Sequence, residues 1–265
     1  MPGSLTIVGL GPARPQHVTL EAADLLRAAA AGRYRVYGLA HAREVASAVA
    51  PGIHIRSLDE LYGLPGVDRP TAYEGLARLL MRRAFEDELD VLYLVAGNPL
   101  YLNDAVLVLR QLCAQEEQPL RIVHGISFVD LVLDRVYWTG HTGLQFLSTW
   151  NLVRDGMKLS PDSPALLAQL GEFTQGGDAL DESGSVHSLA GLRDVLLADF
   201  PADHPVTILY SSGPPTYRSL ARTLPLQDLA EEPVPVYSNL WVPALTGPPL
   251  EARKAPPTDG LGDDE

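Results

Sequence analysis

Apolar and polar positions follow two different rhythms through the first half of the chain. Leu5–Val8, Arg33–Tyr37, Ile53–Ser57, Val91–Val95 and Leu120–Val123 are short runs that carry apolar, aromatic or β-branched residues, which predicts strands. Between them, over Leu20–Ala31, about Ala42–Ala50, Thr71–Phe85 and Asn103–Ala114, apolar residues return at the spacing of one helix face. Leu92-Tyr-Leu-Val-Ala96 has no charged position, as a strand covered on both faces requires. Strand and helix in alternation predict a mostly parallel sheet with helices on both sides.

The rhythm changes after about Gly125–Gly140. Strands are predicted at Leu144–Ser148, Ala165–Leu170, Val206–Tyr210, Ser219–Thr223 and Ser238–Val242, with one good helix, Leu189–Asp199. Short links between neighbouring strands favour antiparallel pairing. The expected fold class is therefore two α/β domains, a parallel sheet in residues 1–130 and a mixed sheet in residues 131–246. Gly171–Ser188, rich in Gly, Asp and Ser, is expected to be a long surface loop. Residues 247–265 combine Pro and Gly with five acids against two bases and read as a disordered acidic tail.

Composition narrows the function. A formal net charge of −13 argues against nucleic acid and anionic membranes as partners. No apolar run approaches the roughly 20 residues of a membrane span. The N-terminus lacks the pattern of a signal peptide, so a cytoplasmic location is expected. The single cysteine, Cys113, shares helical spacing with Leu109 and reads as a packed core thiol. The seven histidines form no H-x-x-x-H motif, so no metal site is expected. Asp130 and Asp134, spaced to share a helix face after Ser127, read as an exposed acidic pair, and Trp138, Trp150 and Trp241 as packing residues.

The candidate chemistry sits in the loops that follow strands. Gly9-Leu-Gly-Pro12 follows the first strand, Ala96-Gly-Asn-Pro-Leu-Tyr101 the fourth and His124-Gly-Ile-Ser-Phe128 the fifth. A further Gly loop, Tyr210-Ser-Ser-Gly-Pro214, follows a strand of the second half. The first loop is not a dinucleotide fingerprint, because Arg14 stands where the third glycine belongs. Nor is it a phosphate-binding P-loop, and Pro12 and Pro15 remove backbone donors from it. An ordinary tight turn is one reading of such a loop. In a parallel sheet, however, the first three must lie at one edge, which is where open α/β sheets bind ligands.

Gly9-x-Gly11-Pro12, Gly97-Asn98-Pro99, Gly125-Ile-Ser127 and Ser238-Asn-Leu-Trp-Val-Pro243 occur in the order of the tetrapyrrole (corrin/porphyrin) methylase superfamily, which the chain resembles from about Leu5 to Leu245. Gly143-Leu-Gln-Phe-Leu147, Pro164–Leu170 and Asp203-His-Pro-Val-Thr207 look like the YabN type, also seen as the N-terminal domain of MazG proteins. The resemblance implies an S-adenosylmethionine-dependent methyltransferase, usually a homodimer, with the cofactor in a cleft between two α/β domains. It implies that Ala96, Gly97, Asn98 and Tyr101 line the methionine end of the cofactor, and that Ser127 and Phe128 meet its sugar or carboxylate. Gln169 and Leu170, then Ser212, then Ser238 and Asn239 would surround the adenine. The chain departs from the family pattern at Ala13-Arg14 and Asn98, where titratable groups are common, and at His124.

Tyr62, Arg69 and Tyr73 follow the third strand. They resemble the catalytic Arg/Tyr set of borosin-type peptide backbone N-methyltransferases, and the Arg-x-x-x-Tyr spacing shares a helix face if Arg69 begins the helix. The readings left open are a methyltransferase acting on a small molecule, one acting on a peptide, and a cofactor-binding or regulatory module without an acceptor.

Overall fold

The computed structural model describes residues 3–12, 14–62, 67–136, 138, 143–175, 189–210, 220–235 and 237–245. These form two compact α/β units that divide between Phe128 and Val129.

The first unit contains β1 (Leu5–Gly9), α1 (Leu20–Ala30), β2 (Arg35–Gly38), α2 (Ala40–Val49), β3 (Ile55–Ser57), α3 (Asp59–Tyr62), α4 (Arg69–Met81), β4 (Val91–Val95), α5 (Asp104–Gln115) and β5 (Leu120–Val123). Its five strands run parallel in the order β3-β2-β4-β1-β5. Side chains alternate between the faces, as the two-residue period of a strand demands. Leu5, Ile7, Tyr93 and Val95 pack with Leu76, Leu80 and Leu109 of α4 and α5. Val8, Leu92 and Leu94 pack with Ala22, Leu26 and Ala46 of α1 and α2 on the other face. Burial on both faces explains why β4 reads as an unbroken apolar run.

Helix boundaries follow their caps. Thr19 Oγ1 accepts from Ala22 N at 3.3 Å and Asn103 Oδ1 from Val106 N at 3.1 Å, each serving an N–H that the first turn leaves unpaired. Asp68 does the same for Thr71 N at 2.9 Å, so α4 starts at Arg69 rather than at the expected Thr71. The helix continues as a π turn over Arg82–Glu86. Cys113 is 2% exposed, and burial, with Glu116 nearby, raises its thiol to about 11, which leaves it inert at neutral pH.

Helix α6 (Phe128–Leu133) begins on the last residue of the first unit, and the second unit continues with β6 (Gln145–Ser148), α7 (Thr149–Val153), β7 (Ala165–Ala168), α8 (Leu170–Gln175), α9 (Leu189–Leu197), β8 (Pro205–Tyr210), β9 (Leu220–Pro225) and β10 (Ser238–Val242). Its sheet has the order β6-β7-β10-β8-β9 and is mixed. Strands β6 and β7 pair parallel; β10 pairs antiparallel with β7 and β8, and β8 antiparallel with β9.

Several expectations are corrected here. Helices α7 and α8 were not anticipated beside α9. The parallel β6–β7 pair departs from the antiparallel pairing expected of neighbours, because α7 supplies the crossover that a parallel connection needs. Strand β7 ends at Ala168 instead of Leu170, and Gly171–Gln175 is helix rather than loop. The reason is local: Gln169 adopts φ 61°, which breaks the ladder and turns the chain into α8. Asp134, expected on a helix face with Asp130, lies past the end of α6.

His204 holds the segment after β10 through Nε2 to the Pro243 carbonyl at 2.9 Å. Burial pushes its imidazole below the ordinary value of 6.5, while the Pro243 bond and Asp203 act in the opposite direction. The folded state thus prefers the neutral ring, and the unfolded chain binds the proton more readily. This contribution to stability is complete above pH 6.5 and is lost as pH falls from there through the lowered folded value. Replacing His204 by Gln, which keeps a donor but cannot titrate, is expected to flatten the decline of Tm between about pH 7 and pH 5. Equal slopes for the two proteins in a pH series of thermal melts would contradict the assignment.

Candidate functional site

Three glycine loops interlock at the carboxyl edge of the first sheet. Strand β1 lies between β4 and β5, so the loops after these strands are neighbours. The chain leaves β1 toward α1 on one face and leaves β4 toward α5 on the other. Departure to opposite faces opens the edge of an α/β sheet to a ligand.

Backbone contact ties these loops together. Leu10 N donates to Val95 O at 3.0 Å, Gly11 N to Gly97 O at 3.2 Å, and Gly97 N to Gly11 O at 2.8 Å. A Cβ on Gly9 would stand 2.7 Å from Gly125 N and Gly97 O, and one on Gly125 would collide with the Gly97 carbonyl. Gly97 differs from both: its φ is 68°, yet a Cβ there meets nothing within 4 Å. The space beside its backbone is open.

Ala96, Asn98, Tyr101, Ser127 and Phe128 lie in or just after the loops that meet there. Ala96 is exposed and Tyr101 is 43% exposed. Asn98 Oδ1 accepts from Leu100 N at 3.1 Å and its carbonyl from Tyr101 N at 3.2 Å, which folds the loop back on itself. Ser127 is buried and Phe128, half-buried, begins α6. Tyr62 closes α3, which packs on α4. Arg69 is the first residue of α4, and Tyr73, one turn later, packs against the core under the sheet. This trio follows β3, two strand spacings from β4, about 10 Å along the edge. A groove of about 510 Å³ lined by Arg78, Arg82, Phe85, Glu86 and Glu116 lies at the other end of the sheet, where α4 and α5 finish.

The second unit has its own polar edge. Strands β6, β7 and β8 end there and β10 begins there. Four of the seven buried polar or charged residues among those described lie at this edge: Ser148, Thr149, Ser238 and Asn239. Buried polar atoms are costly unless paired, so their concentration marks a place built for recognition. Ser148 Oγ donates to Gln169 Oε1 at 2.7 Å, and Thr149 Oγ1 to the Ala168 carbonyl at 2.8 Å. Ser238 is fully buried and its Oγ has no partner. Leu170 is fully buried, its side chain in the core of this unit, so its backbone is what it can offer a ligand. Ser212 lies outside the described residues. Ser148 and Thr149 were missed in the sequence; the signal available was a polar pair closing the apolar run Phe146-Leu147.

Among the described residues no group of three or more metal-ligating side chains comes together, and no helix is long and apolar enough to cross a membrane.

Comparison with known proteins completes the picture. Among solved structures, a uroporphyrin-III C-methyltransferase from Thermus thermophilus superposes with a TM-score of 0.63 at 19% identity, covering 92% of this chain and 93% of that one. A cobalt precorrin-4 methyltransferase gives 0.59 at 14% identity, covering 91% and 94%. The Thermus thermophilus enzyme complexed with S-adenosylhomocysteine gives 0.57 at 19%, covering 91% and 92%. These likenesses show a shared two-domain α/β fold. No curated protein sequence matches. Residues 4–226 match the tetrapyrrole (corrin/porphyrin) methylases, and the chain belongs to that family.

Proposed function

We propose that this protein transfers the methyl group of S-adenosyl-L-methionine to a small-molecule acceptor. The observation that carries the reading is the opening at Gly97, held by the Gly11 bridge at the carboxyl edge of a family-type sheet. The unpartnered Ser238 Oγ gives further support. An open backbone cradle and an orphaned buried hydroxyl are what a bound cofactor would occupy and satisfy. Ala96, Gly97, Asn98, Tyr101, Ser127 and Phe128 of the first unit, with Gln169, Leu170, Ser212, Ser238 and Asn239 of the second, are the residues proposed to hold it. The family membership and a neighbour of the same fold solved with S-adenosylhomocysteine favour the same cofactor.

The cofactor supplies an activated sulfonium methyl; the protein's own task is alignment and exclusion of water. The interlocked glycine loops suit that task, because a rigid backbone holds a ligand without reorganising. Ala13-Arg14 and Asn98 leave these loops without a carboxylate at the positions where the family commonly carries one, so the acceptor differs in chemistry from the family's usual one in this reading. The strings Gly143–Leu147 and Pro164–Leu170 support a YabN-type subclass in this reading. A homodimer in the cytoplasm is the proposed working form.

Calorimetry with S-adenosylhomocysteine tests the cofactor. Binding on the order of micromolar Kd is expected, with a matching rise in Tm at saturation. No heat and no shift of Tm at millimolar ligand would end this reading. Transfer of labelled methyl to uroporphyrinogen III and to a peptide library then sorts acceptors.

A further inference from the structure

We infer that the groove where α4 and α5 finish is a binding site for a free α-amino acid with an apolar side chain. It lies at the opposite end of the first sheet from the glycine loops, and the inference stands apart from the cofactor reading.

One wall of the groove is irregular in two places. Gly75 stands in the interior of α4, where glycine costs about 1 kcal/mol relative to alanine. No neighbour demands it, since a Cβ there would meet nothing within 4 Å. It leaves bare helix backbone for an occupant to approach. Further along, Asp87 N donates to Arg82 O at 3.0 Å, the spacing of a π turn, and Arg82, Phe85 and Glu86 of that turn line the groove. Such turns are rare and often mark functional sites. The facing wall is fixed. Gln118 N donates to Cys113 O at 2.8 Å around Glu117, whose φ of 53° closes α5.

The charges set the class of ligand. Two ion pairs four residues apart close on this helical stretch, Arg78 Nε to Glu74 at 2.8 Å and Arg83 Nη1 to Asp87 at 2.7 Å. Arg78 also reaches Glu116, just past α5, at 3.5 Å. Arg82 and Glu86 have the same spacing and line the groove, yet neither has an ion-pair partner among the described residues. The groove thus presents an unpaired cation and an unpaired anion beside the apolar surface of Leu79, Met81 and Phe85. A ligand that answers all three carries a carboxylate, an ammonium and an apolar body on one small frame. A free apolar amino acid has that chemistry, and the volume of about 510 Å³ is in the range of small-molecule sites. A phosphate ester would instead set like charge against Glu86.

Amide NMR spectra of the full chain, titrated with L-leucine and with L-phenylalanine, test this. Both should shift the signals of the groove residues, with Kd on the order of 1 mM or tighter. N-acetyl-L-leucine and L-leucinamide each lack one charge and should bind at least about tenfold more weakly. Arg82→Gln and Glu86→Gln should weaken L-leucine by a similar factor. Gly75→Leu should hold or raise Tm, because leucine is the better helix former, and should abolish binding by filling the groove. S-adenosylhomocysteine at about 0.1 mM should leave bound L-leucine in place. No shift of these signals at tens of millimolar of either amino acid would overturn the inference. So would N-acetyl-L-leucine or L-leucinamide binding as tightly as L-leucine, or undiminished L-leucine binding by Arg82→Gln, Glu86→Gln or Gly75→Leu. Displacement by S-adenosylhomocysteine would overturn it too, by putting the amino acid in the proposed cofactor site.

Discussion

Gly125→Ala is expected to cost about 3 kcal/mol of stability or more and to abolish binding of S-adenosylhomocysteine. The added methyl group would strike the Gly97 carbonyl and come within 2.9 Å of Gly11 N and Gly9 C. All three obstacles are backbone, from two different loops, and all are tied to one another by the Gly11–Gly97 bridge. No rotamer can move to relieve the contact, so the loops must separate. For a unit of this size the loss corresponds to a fall in Tm of roughly 10 °C. Two other glycines calibrate the effect. Gly97→Ala meets open space but must hold φ 68°, which costs on the order of 1 kcal/mol. Gly75→Ala, inside α4 with nothing nearby, should gain about 0.5–1 kcal/mol through helix propensity. Thermal melts should therefore rank Gly125→Ala far below Gly97→Ala, and that below Gly75→Ala. A Gly125→Ala protein that melts within a degree or two of wild type would show that the loops are not interlocked as described.

Phe173→Ala should destabilise the second unit by about 3–5 kcal/mol, the usual cost of emptying a fully buried aromatic site. Phe173 is 0% exposed and packs edge-on against Trp150, with ring centroids 4.9 Å apart and planes at 71°. The pair clamps α8 to α7, and the Phe173 amide hydrogen-bonds the Gln169 carbonyl. Emptying this position removes the ring contact and frees the turn that carries Gln169. Affinity for S-adenosylhomocysteine should fall together with stability, whereas Phe173→Leu should lose about half as much of each. Chemical denaturation of the three proteins, with and without ligand, measures both. A Phe173→Ala variant within 1 kcal/mol of wild type would mean that α8 is held by something other than this ring.

Much of the first unit was legible because its signals are local. Val91–Val95, an unbroken apolar run, and Leu120–Val123, apolar but for Arg121, were expected and found without a change of boundary. Boundaries slipped where a cap decided them, as at Asp68, whose side chain moved the start of α4 by two residues. The second unit was less legible. Helices α7 and α8 are five and six residues long, too short for a helical period to show. Gln169 gave no warning of its left-handed backbone, because glutamine has no preference for it. Its partner Ser148 looked like an ordinary strand end.

The strand–helix alternation of the first unit, the parallel sense of its sheet and the meeting of three glycine loops at one edge were set by the sequence alone. Each follows from periods of two and of three to four residues, which a short window of chain displays, and from the handedness of strand–helix–strand crossovers. Only the tertiary structure decided that β1 lies between β4 and β5, that Gly9, Gly11, Gly97 and Gly125 lock together, and that Ser148, Gln169 and Ser238 share one polar edge. Those facts join residues dozens of positions apart. A glycine has no side chain to announce its neighbour, and a hydroxyl has no period. Their meaning arises when packing brings the segments within a few ångströms of each other.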